Sequence, residues 1–148
     1  MLEVKNIKTF YGNIQALKGI SIDIAEGEII TLIGANGAGK TTTLMSISGI
    51  VPPRSGEIVF LGQAIQDLSP NRIVELGICQ VPEGRHIFPY LTVAENLDMG
   101  AFLRNDTPEI KKDIAYVYEL FPILAQRRNQ TGGKLSGGEQ QMLKMGRA

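Results

Sequence analysis

The sequence contains no tryptophan, one cysteine and one histidine, and no excess of charge of either sign. The lone cysteine, Cys79, excludes an internal disulfide, and because it lies in the apolar stretch 77–81 we predict that it packs in the core. The lone histidine, His86, follows Arg85 in a predicted loop without other metal ligands nearby, so we predict a surface residue. The 15 basic and 15 acidic residues cancel, and without runs of like charge they give no reason to expect nucleic acid as a partner.

Long hydrophobic runs are missing as well. The longest apolar stretches are far shorter than a membrane-spanning helix, and the N-terminus lacks the apolar region of a signal peptide, so we expect a cytoplasmic protein. Hydrophobic residues nevertheless make up 43% of the 148 residues. That proportion is enough for the core of one globular domain.

Apolar stretches of two kinds predict the strands. Residues 2–7 and 20–24 alternate in polarity, and because their connection is short they should pair antiparallel. Apolar runs predict two further strands that are buried, at 29–33 and 77–81. Another strand is predicted at 57–61, after a turn rich in helix- and strand-breaking residues.

Capping residues predict where the helices begin and end. Ser69 followed by Pro70 should start a helix that Gly77 ends, and Thr92 with Glu95 three positions later forms a capping box. Two more helices are predicted, one from Thr107 to Pro122 with a one-sided apolar stripe and one over residues 137–148.

Residues 34–41, with the sequence GANGAGKT, match the P-loop pattern G-x-x-x-x-G-K-[ST] at every fixed position. The glycines let successive backbone N–H groups turn toward a phosphate, at the start of a helix whose dipole favours an anion. Lys40 should then reach the β- and γ-phosphates, and the Thr41 hydroxyl should ligate Mg²⁺. The alternative, a glycine-rich turn before an ordinary helix, is disfavoured by the predicted strand before the loop and the helix after it.

Residues 135–140, with the sequence LSGGEQ, form a second candidate for phosphate binding. Ser136 is suited to an N-cap, Gly137 and Gly138 expose backbone N–H groups at a helix start, and Glu139 completes a capping box. Alone, this pattern is more typical of a well-capped helix than of an anion site. Together with a P-loop, it favours an anion site.

With these two motifs the chain resembles the ATP-binding subunit of an ATP-binding-cassette (ABC) transporter. The resemblance implies an α/β fold, a P-loop NTPase core with an N-terminal antiparallel β-subdomain and a helical insert. We expect antiparallel β-structure and the P-loop strand in residues 1–33, the P-loop core in 34–91, and the helical insert with the signature helix in 92–148. The resemblance also implies that Tyr11 stacks on adenine, and that the nucleotide contacts are Tyr11, Gly34, Ala35, Asn36, Gly37, Ala38, Gly39, Lys40, Thr41 and Thr42.

The same resemblance implies the cofactors and partners. ATP and Mg²⁺ would be bound in a head-to-tail dimer, each nucleotide lying between one P-loop and the signature motif of a second ATP-binding subunit. The implied signature contacts are Ser136, Gly137, Gly138, Glu139 and Gln140. Membrane permease subunits are the other implied partners, and they would hold the protein at the inner face of the cell membrane.

Further motifs narrow the resemblance to branched-chain amino-acid importers. Glu83 stands where most members of the wider family carry a glutamine that ligates Mg²⁺ and couples to the permease, so it is implied as a Mg²⁺ ligand beside Thr41. A solvent-exposed loop acid is the alternative. Arg85 and the helix from Thr92 are implied to face the permease. The motifs that carry this narrower resemblance are VPEGR at 81–85, FP at 88–89, LTVAENL at 91–97 and LSGGEQQM at 135–142.

The resemblance implies a transport ATPase as the full-length parent. The residues it assigns to catalysis, an Asp-Glu pair after an apolar strand and a later histidine that senses the γ-phosphate, are not among these 148. We therefore predict no catalytic residue here and no ATP hydrolysis by the 148 residues alone. The alternative function is a soluble ABC ATPase without a permease. Such proteins usually carry two cassettes, whereas this sequence has one P-loop and no basic patch.

Overall fold

The computed structural model describes residues 1–84 and 86–148, which form two compact units, Met1–Gln80 and Val81–Ala148. Arg85, which the resemblance implied to face a permease, lies outside the described residues. The division expected from the sequence, at residues 33 and 91, stays a prediction.

Antiparallel strands form the sheet of the first unit. They are β1 (Leu2–Tyr11), β2 (Ile14–Ile24), β3 (Ser55–Phe60) and β4 (Gln63–Ala64), in the order β2-β1-β3-β4. The predicted antiparallel pairing is confirmed, with Val4 opposite Ile22, and the predicted strand 57–61 is confirmed as β3. The first two strands are longer than predicted, because a tight turn joins them and pairing continues up to that turn.

Two helices, α1 (Lys40–Ile47) and α2 (Pro70–Glu75), cover the apolar face of this sheet. α2 begins at Pro70 after Ser69, as predicted. The hydroxyl oxygens of Thr9 and Ser46, both buried, lie 2.9 Å apart and join β1 to α1. This contact holds α1, and therefore the loop that precedes it, against β1. The buried core residues of the unit are Leu2, Val4, Ile7, Leu17, Ile58, Ile65 and Ile73.

The predicted buried strands at 29–33 and 77–81 are wrong. Both segments lack regular structure, and Ile29 and Ile33 are 95% and 92% exposed. Cys79, predicted to pack in the core, is exposed. The physical reason is that an apolar run becomes a buried strand only where neighbouring strands accept its N–H and C=O groups. Within residues 1–84 and 86–148, the sheet contains β1 to β4 and neither of these segments.

The second unit is helical. Its capping boxes at Thr92 and Ser136 are both present as predicted, and the predicted helix from Thr107 is confirmed. Its core consists of Val93, Leu97, Leu124, Leu135 and Leu143. The helices are α3 (Val93–Gly100), α4 (Thr107–Leu120), α5 (Pro122–Gln126) and α6 (Gly137–Arg147), with a 3₁₀ turn at Gly132–Lys134. In the described part of the chain, no helix is long and apolar enough to cross a membrane.

Candidate nucleotide-binding site

The P-loop residues 34–39 form an irregular, mostly exposed turn that leads into α1 at Lys40. Gly37 and Gly39 have φ angles of 84° and 92°, left-handed values that are costly for a residue with a side chain. A Cβ on Gly39 would also lie 2.6 Å from Leu17 Cδ2. The loop can therefore end this close to β2 because glycine occupies its last position. The predicted helix after the loop is confirmed, whereas the strand predicted before it is absent from this part of the described chain.

Lys40 lies across the loop that precedes it. Its Nζ donates hydrogen bonds to the carbonyl oxygens of Gly34, at 2.8 Å, and Ala35, at 2.9 Å. The Ala38 N–H also donates to the Ala35 carbonyl, at 3.1 Å, which closes a tight turn. The loop is thus curled around a positive charge, an arrangement that suits an anionic ligand.

The first turn of α1 adds backbone donors at the same place. The N–H and the hydroxyl of Thr43 both donate to the Gly39 carbonyl, at 2.8 and 2.9 Å. The N–H groups of Lys40, Thr41 and Thr42 donate to no backbone acceptor within residues 1–84 and 86–148. Unpaired donors at the positive end of a helix bind phosphate, and the exposed Thr41 supplies the kind of oxygen that Mg²⁺ prefers. The donor set of the loop therefore fits a nucleotide phosphate with its metal ion.

Tyr11 lies at the end of β1, beside the first turns of α1. Its hydroxyl oxygen is 3.4 Å from Thr42 Oγ1, and it donates to Met45 Sδ at 3.7 Å. The side chain remains partly accessible, since the residue is 46% exposed. An accessible aromatic ring next to the P-loop helix is in a suitable place to contact a base, although its stacking on adenine stays a prediction.

The signature motif starts α6 with a complete capping box. Ser136 Oγ accepts a hydrogen bond from the Glu139 N–H at 3.3 Å, and Glu139 Oε2 accepts one from the Ser136 N–H at 2.7 Å. Gly137 and Gly138 are exposed, and a Cβ on either would meet nothing within 4 Å. The helix start is therefore open to solvent at the two positions where the motif carries glycine.

Two side chains of the motif are engaged inside their own unit. Gln140 Nε2 donates to the carbonyl oxygens of Gly132, at 3.3 Å, and Leu135, at 3.1 Å. Glu139, besides capping the helix, lies 3.3 Å from the Arg127 guanidinium. These contacts hold the motif in place and leave residues 136–138 as its accessible part. Nucleotide contact by any of the five signature residues stays a prediction.

Glu83 and His86 lie in the irregular stretch before α3, and both are exposed, which confirms the predicted surface position of His86. The carbonyl oxygens on either side of Glu83, those of Pro82 and Gly84, accept hydrogen bonds from Lys144 Nζ at 2.9 and 2.7 Å. Among the described residues, no three His, Cys, Asp or Glu side chains form a metal-binding group.

Asn96 is a structural centre that the sequence analysis missed. This fully buried side chain accepts from the Phe88 N–H at 2.9 Å and shares its amide protons among the carbonyls of Phe88, Leu91 and Thr92, at 2.9 to 3.2 Å. It therefore holds the turn before α3. The available signal was a polar residue next to Leu97 on the apolar face of a capped helix, which indicates a buried hydrogen-bonding role.

The P-loop of the first unit and the capped signature helix of the second are the motifs of an ATP-binding cassette. The family model described as ABC transporter matches residues 17–148, and the chain belongs to this family. The predicted ABC cassette fold is confirmed by solved structures. One, described as the ATP-binding subunit of an ABC transporter, has a TM-score of 0.86 at 28% identity and covers 100% of this chain and 61% of that one. A dimeric bacterial ABC transporter cassette has a TM-score of 0.85 at 26% identity, over 99% of this chain and 68% of that one.

Sequence relatives confirm the narrower resemblance. Over 148 residues, the chain is 47% identical to the high-affinity branched-chain amino acid transport ATP-binding protein BraG of Pseudomonas aeruginosa, covering 100% of this chain and 63% of that protein. It is 36% identical to a probable branched-chain amino acid transport ATP-binding protein, LivF, of Archaeoglobus fulgidus, covering 100% of this chain and 62% of that protein. The chain therefore spans a little under two thirds of the length of these two relatives.

Acid should weaken the second unit through its two capping carboxylates. Hydrogen bonds from the backbone and side chain of Thr92 lower the pKa of Glu95, and the backbone N–H of Ser136 is the main cause that lowers the pKa of Glu139, both from the ordinary value of 4.5. A carboxylate whose pKa is lower in the folded than in the unfolded state stabilises the fold. This stabilisation is fully present above pH 4.5 and is lost as the pH falls through the pKa of the folded state.

We therefore expect the urea midpoint of this unit to fall as pH is lowered from about 6 to about 3. The Glu95→Gln and Glu139→Gln variants should each show a smaller fall than the wild type. Glu119→Gln, an exposed position on α4, is the control and should follow the wild type. An equal pH dependence in all four proteins would contradict the assignment.

Proposed function

We propose that this chain belongs to the ATP-binding subunit of an ABC importer for branched-chain amino acids and binds MgATP at residues 34–41. The observation that carries the proposal is the geometry of the P-loop, where the Lys40 ammonium binds the loop carbonyls of Gly34 and Ala35, and the N–H groups of Lys40, Thr41 and Thr42 donate to no backbone acceptor among the described residues. The substrate class rests on the 47% identity to a branched-chain amino acid transport ATP-binding protein. The solute itself would be chosen by the permease and would not contact these residues.

In this proposal each P-loop residue has a distinct task. Lys40 would exchange its two carbonyl partners for phosphate oxygens, the backbone N–H groups of Thr41 and Thr42 would donate to the same phosphates, and Thr41 Oγ1 would ligate Mg²⁺. Tyr11, held beside Thr42, would contact the adenine. Bound MgATP would supply the phosphoryl group whose transfer to water drives transport.

The signature motif and Glu83 complete the proposal. The open helix start at residues 136–138 would donate to the nucleotide held by a second ATP-binding subunit, a pairing for which the dimeric ABC cassette is a structural precedent. Glu83 would ligate Mg²⁺ and respond to the permease. The protein would be held at the cytoplasmic face of the membrane through that permease. That the 148 residues alone do not hydrolyse ATP stays a prediction.

Association with a permease distinguishes an importer subunit from a soluble ABC ATPase. We expect the tagged chain, expressed together with the branched-chain amino-acid permease subunits of its own genome, to co-purify with them from detergent-solubilised membranes. A Lys40→Ala variant should co-purify equally, because the P-loop is not the proposed permease contact. Two results would favour the soluble alternative. One is that the chain is purified without any permease subunit, and the other is that the same amount of chain is found in the membranes of cells that lack the permease.

A further inference from the structure

Lys144 is a buried cation whose hydrogen-bond partners are backbone carbonyls. It lies in α6 and is 4% exposed. Lysine is almost never buried unless its ammonium is paired. Here the ammonium donates to the carbonyl oxygens of Pro82, at 2.9 Å, and Gly84, at 2.7 Å. The burial of this charge is therefore tied to the stretch of chain that contains those two carbonyls.

The two carbonyls bracket Glu83 and Gly84, because the first precedes Glu83 and the second follows Gly84. An ammonium bound to both restrains the short segment between them, and so restrains where the Glu83 side chain begins. The left-handed conformation of Gly84, with φ of 85°, belongs to the same turn. Glu83 is itself exposed and accepts none of these bonds through its carboxylate. Lys144 thus holds the backbone of Glu83 and leaves its carboxylate accessible.

A second residue of α6, one helical turn after Lys144, binds the chain near the same segment. The Arg147 guanidinium donates to the His86 carbonyl at 2.7 Å and lies 5.1 Å from the centre of the Phe88 ring. The helix that carries both cations is closely packed, since a Cβ on Gly146 would lie 2.5 Å from Val117 Cγ1. α6, which begins at the signature motif, therefore holds the chain at two places near Glu83, through Lys144 and Arg147.

We propose that Lys144 is a positioning residue that fastens the Glu83 turn to the signature helix, so that Glu83 offers its carboxylate to a divalent cation from a constant position. The proposal rests on the proposed function for the role of Glu83 as a cation ligand. The fastening itself rests on the hydrogen bonds of Lys144 alone. It follows that a displacement of α6 moves the Glu83 turn with it, which links the motif at residues 136–138 to the Glu83 carboxylate.

The fastening is tested by backbone order parameters, measured by ¹⁵N NMR relaxation at Glu83, Gly84 and His86. Lys144→Met keeps the length of the side chain and removes its donors, so order parameters at these residues should fall from about 0.85 to below about 0.6 while those of α3 and α6 stay unchanged. Lys144→Arg retains the charge and the donors and should restore the order parameters to about 0.85. Lys111→Met, at an exposed position of α4, is the control.

Two results would overturn the fastening. One is unchanged order parameters at the three residues in Lys144→Met, which would make the lysine a space-filling residue. The other is a fall in the order parameters of α3 and α6 as large as that of the turn, in both the Met and the Arg variants. That result would make Lys144 a general core residue.

The effect on Glu83 is tested by the Mg²⁺ dependence of ATP binding, measured by calorimetry with Mg²⁺ and with EDTA. Lys144→Met and Glu83→Gln should each reduce the gain in affinity that Mg²⁺ provides by about tenfold, leave metal-free affinity unchanged, and show no further loss when combined. Equal losses with and without Mg²⁺ in Lys144→Met would overturn the positioning role. A full Mg²⁺ effect in Glu83→Gln would instead refute the proposed role of Glu83, and the order parameters would still decide the fastening.

Discussion

Lys40→Ala weakens MgATP binding by at least about 100-fold, because the ammonium that the P-loop surrounds is lost. Each hydrogen bond to a charged group contributes about 1.5–3 kcal/mol, and losing two of them to phosphate oxygens costs about 3–6 kcal/mol. Folding stability should change little, because the carbonyls of Gly34 and Ala35 that Lys40 contacts are exposed and can bind water instead.

Calorimetry with MgATP, together with thermal unfolding, measures these two effects separately. Lys18→Ala is the matched control, because Lys18 is an exposed lysine of the same unit on β2. Affinity in Lys40→Ala within about threefold of the wild type would refute the phosphate role of Lys40. Absence of binding in the wild type as well would refute the proposed nucleotide site in this chain.

Gly56→Ala destabilises the first unit by about 3 kcal/mol or more, the largest loss we expect from adding a single methyl group. Gly56 has a φ of 96°. A Cβ there would lie 2.6 Å from three backbone atoms of β1, the carbonyl oxygens of Lys5 and Asn6 and Cα of Ile7. Backbone atoms cannot turn aside as the end of a flexible side chain can, so the pairing of β1 with β3 would have to open.

Urea unfolding of Gly62→Ala separates the cost of a left-handed backbone from the cost of a clash with β1. Gly62 also has a left-handed φ, 82°, but a Cβ there would meet nothing within 4 Å. This variant should therefore lose only the conformational cost, about 1–2 kcal/mol. If both variants lose the same amount, the close approach of β3 to β1 is not what requires glycine at position 56.

Features that depend on residues three or four positions apart were predicted well. Capping boxes at Thr92 and Ser136, and the helix start at Pro70, need only neighbours within one turn, so their signals are complete in the sequence. The helix that follows the P-loop belongs with them, because its start after the glycines is a local signal as well. The family itself could be recognised from two such motifs, residues 34–41 and 135–140.

Features that depend on distant partners were predicted less well. The apolar run 29–33 has the composition of a buried strand, yet burial requires neighbouring strands that composition does not reveal, and the segment is exposed. The hydrogen bonds of Lys144 have the same origin. Lys144 is an ordinary polar residue in the sequence, and its partners are the carbonyls of Pro82 and Gly84, 62 and 60 residues earlier, which only the folded chain brings within 2.9 Å.

By itself, the sequence determined the family of this protein, the helix after the P-loop and the capped helices, all encoded by short-range spacing. Tertiary structure alone decided which apolar stretches are buried and which polar side chains hold the irregular stretch before α3. The physical reason is that caps and glycine turns are satisfied by neighbours along the chain. Burial and the pairing of buried polar groups are satisfied only by residues that folding brings together.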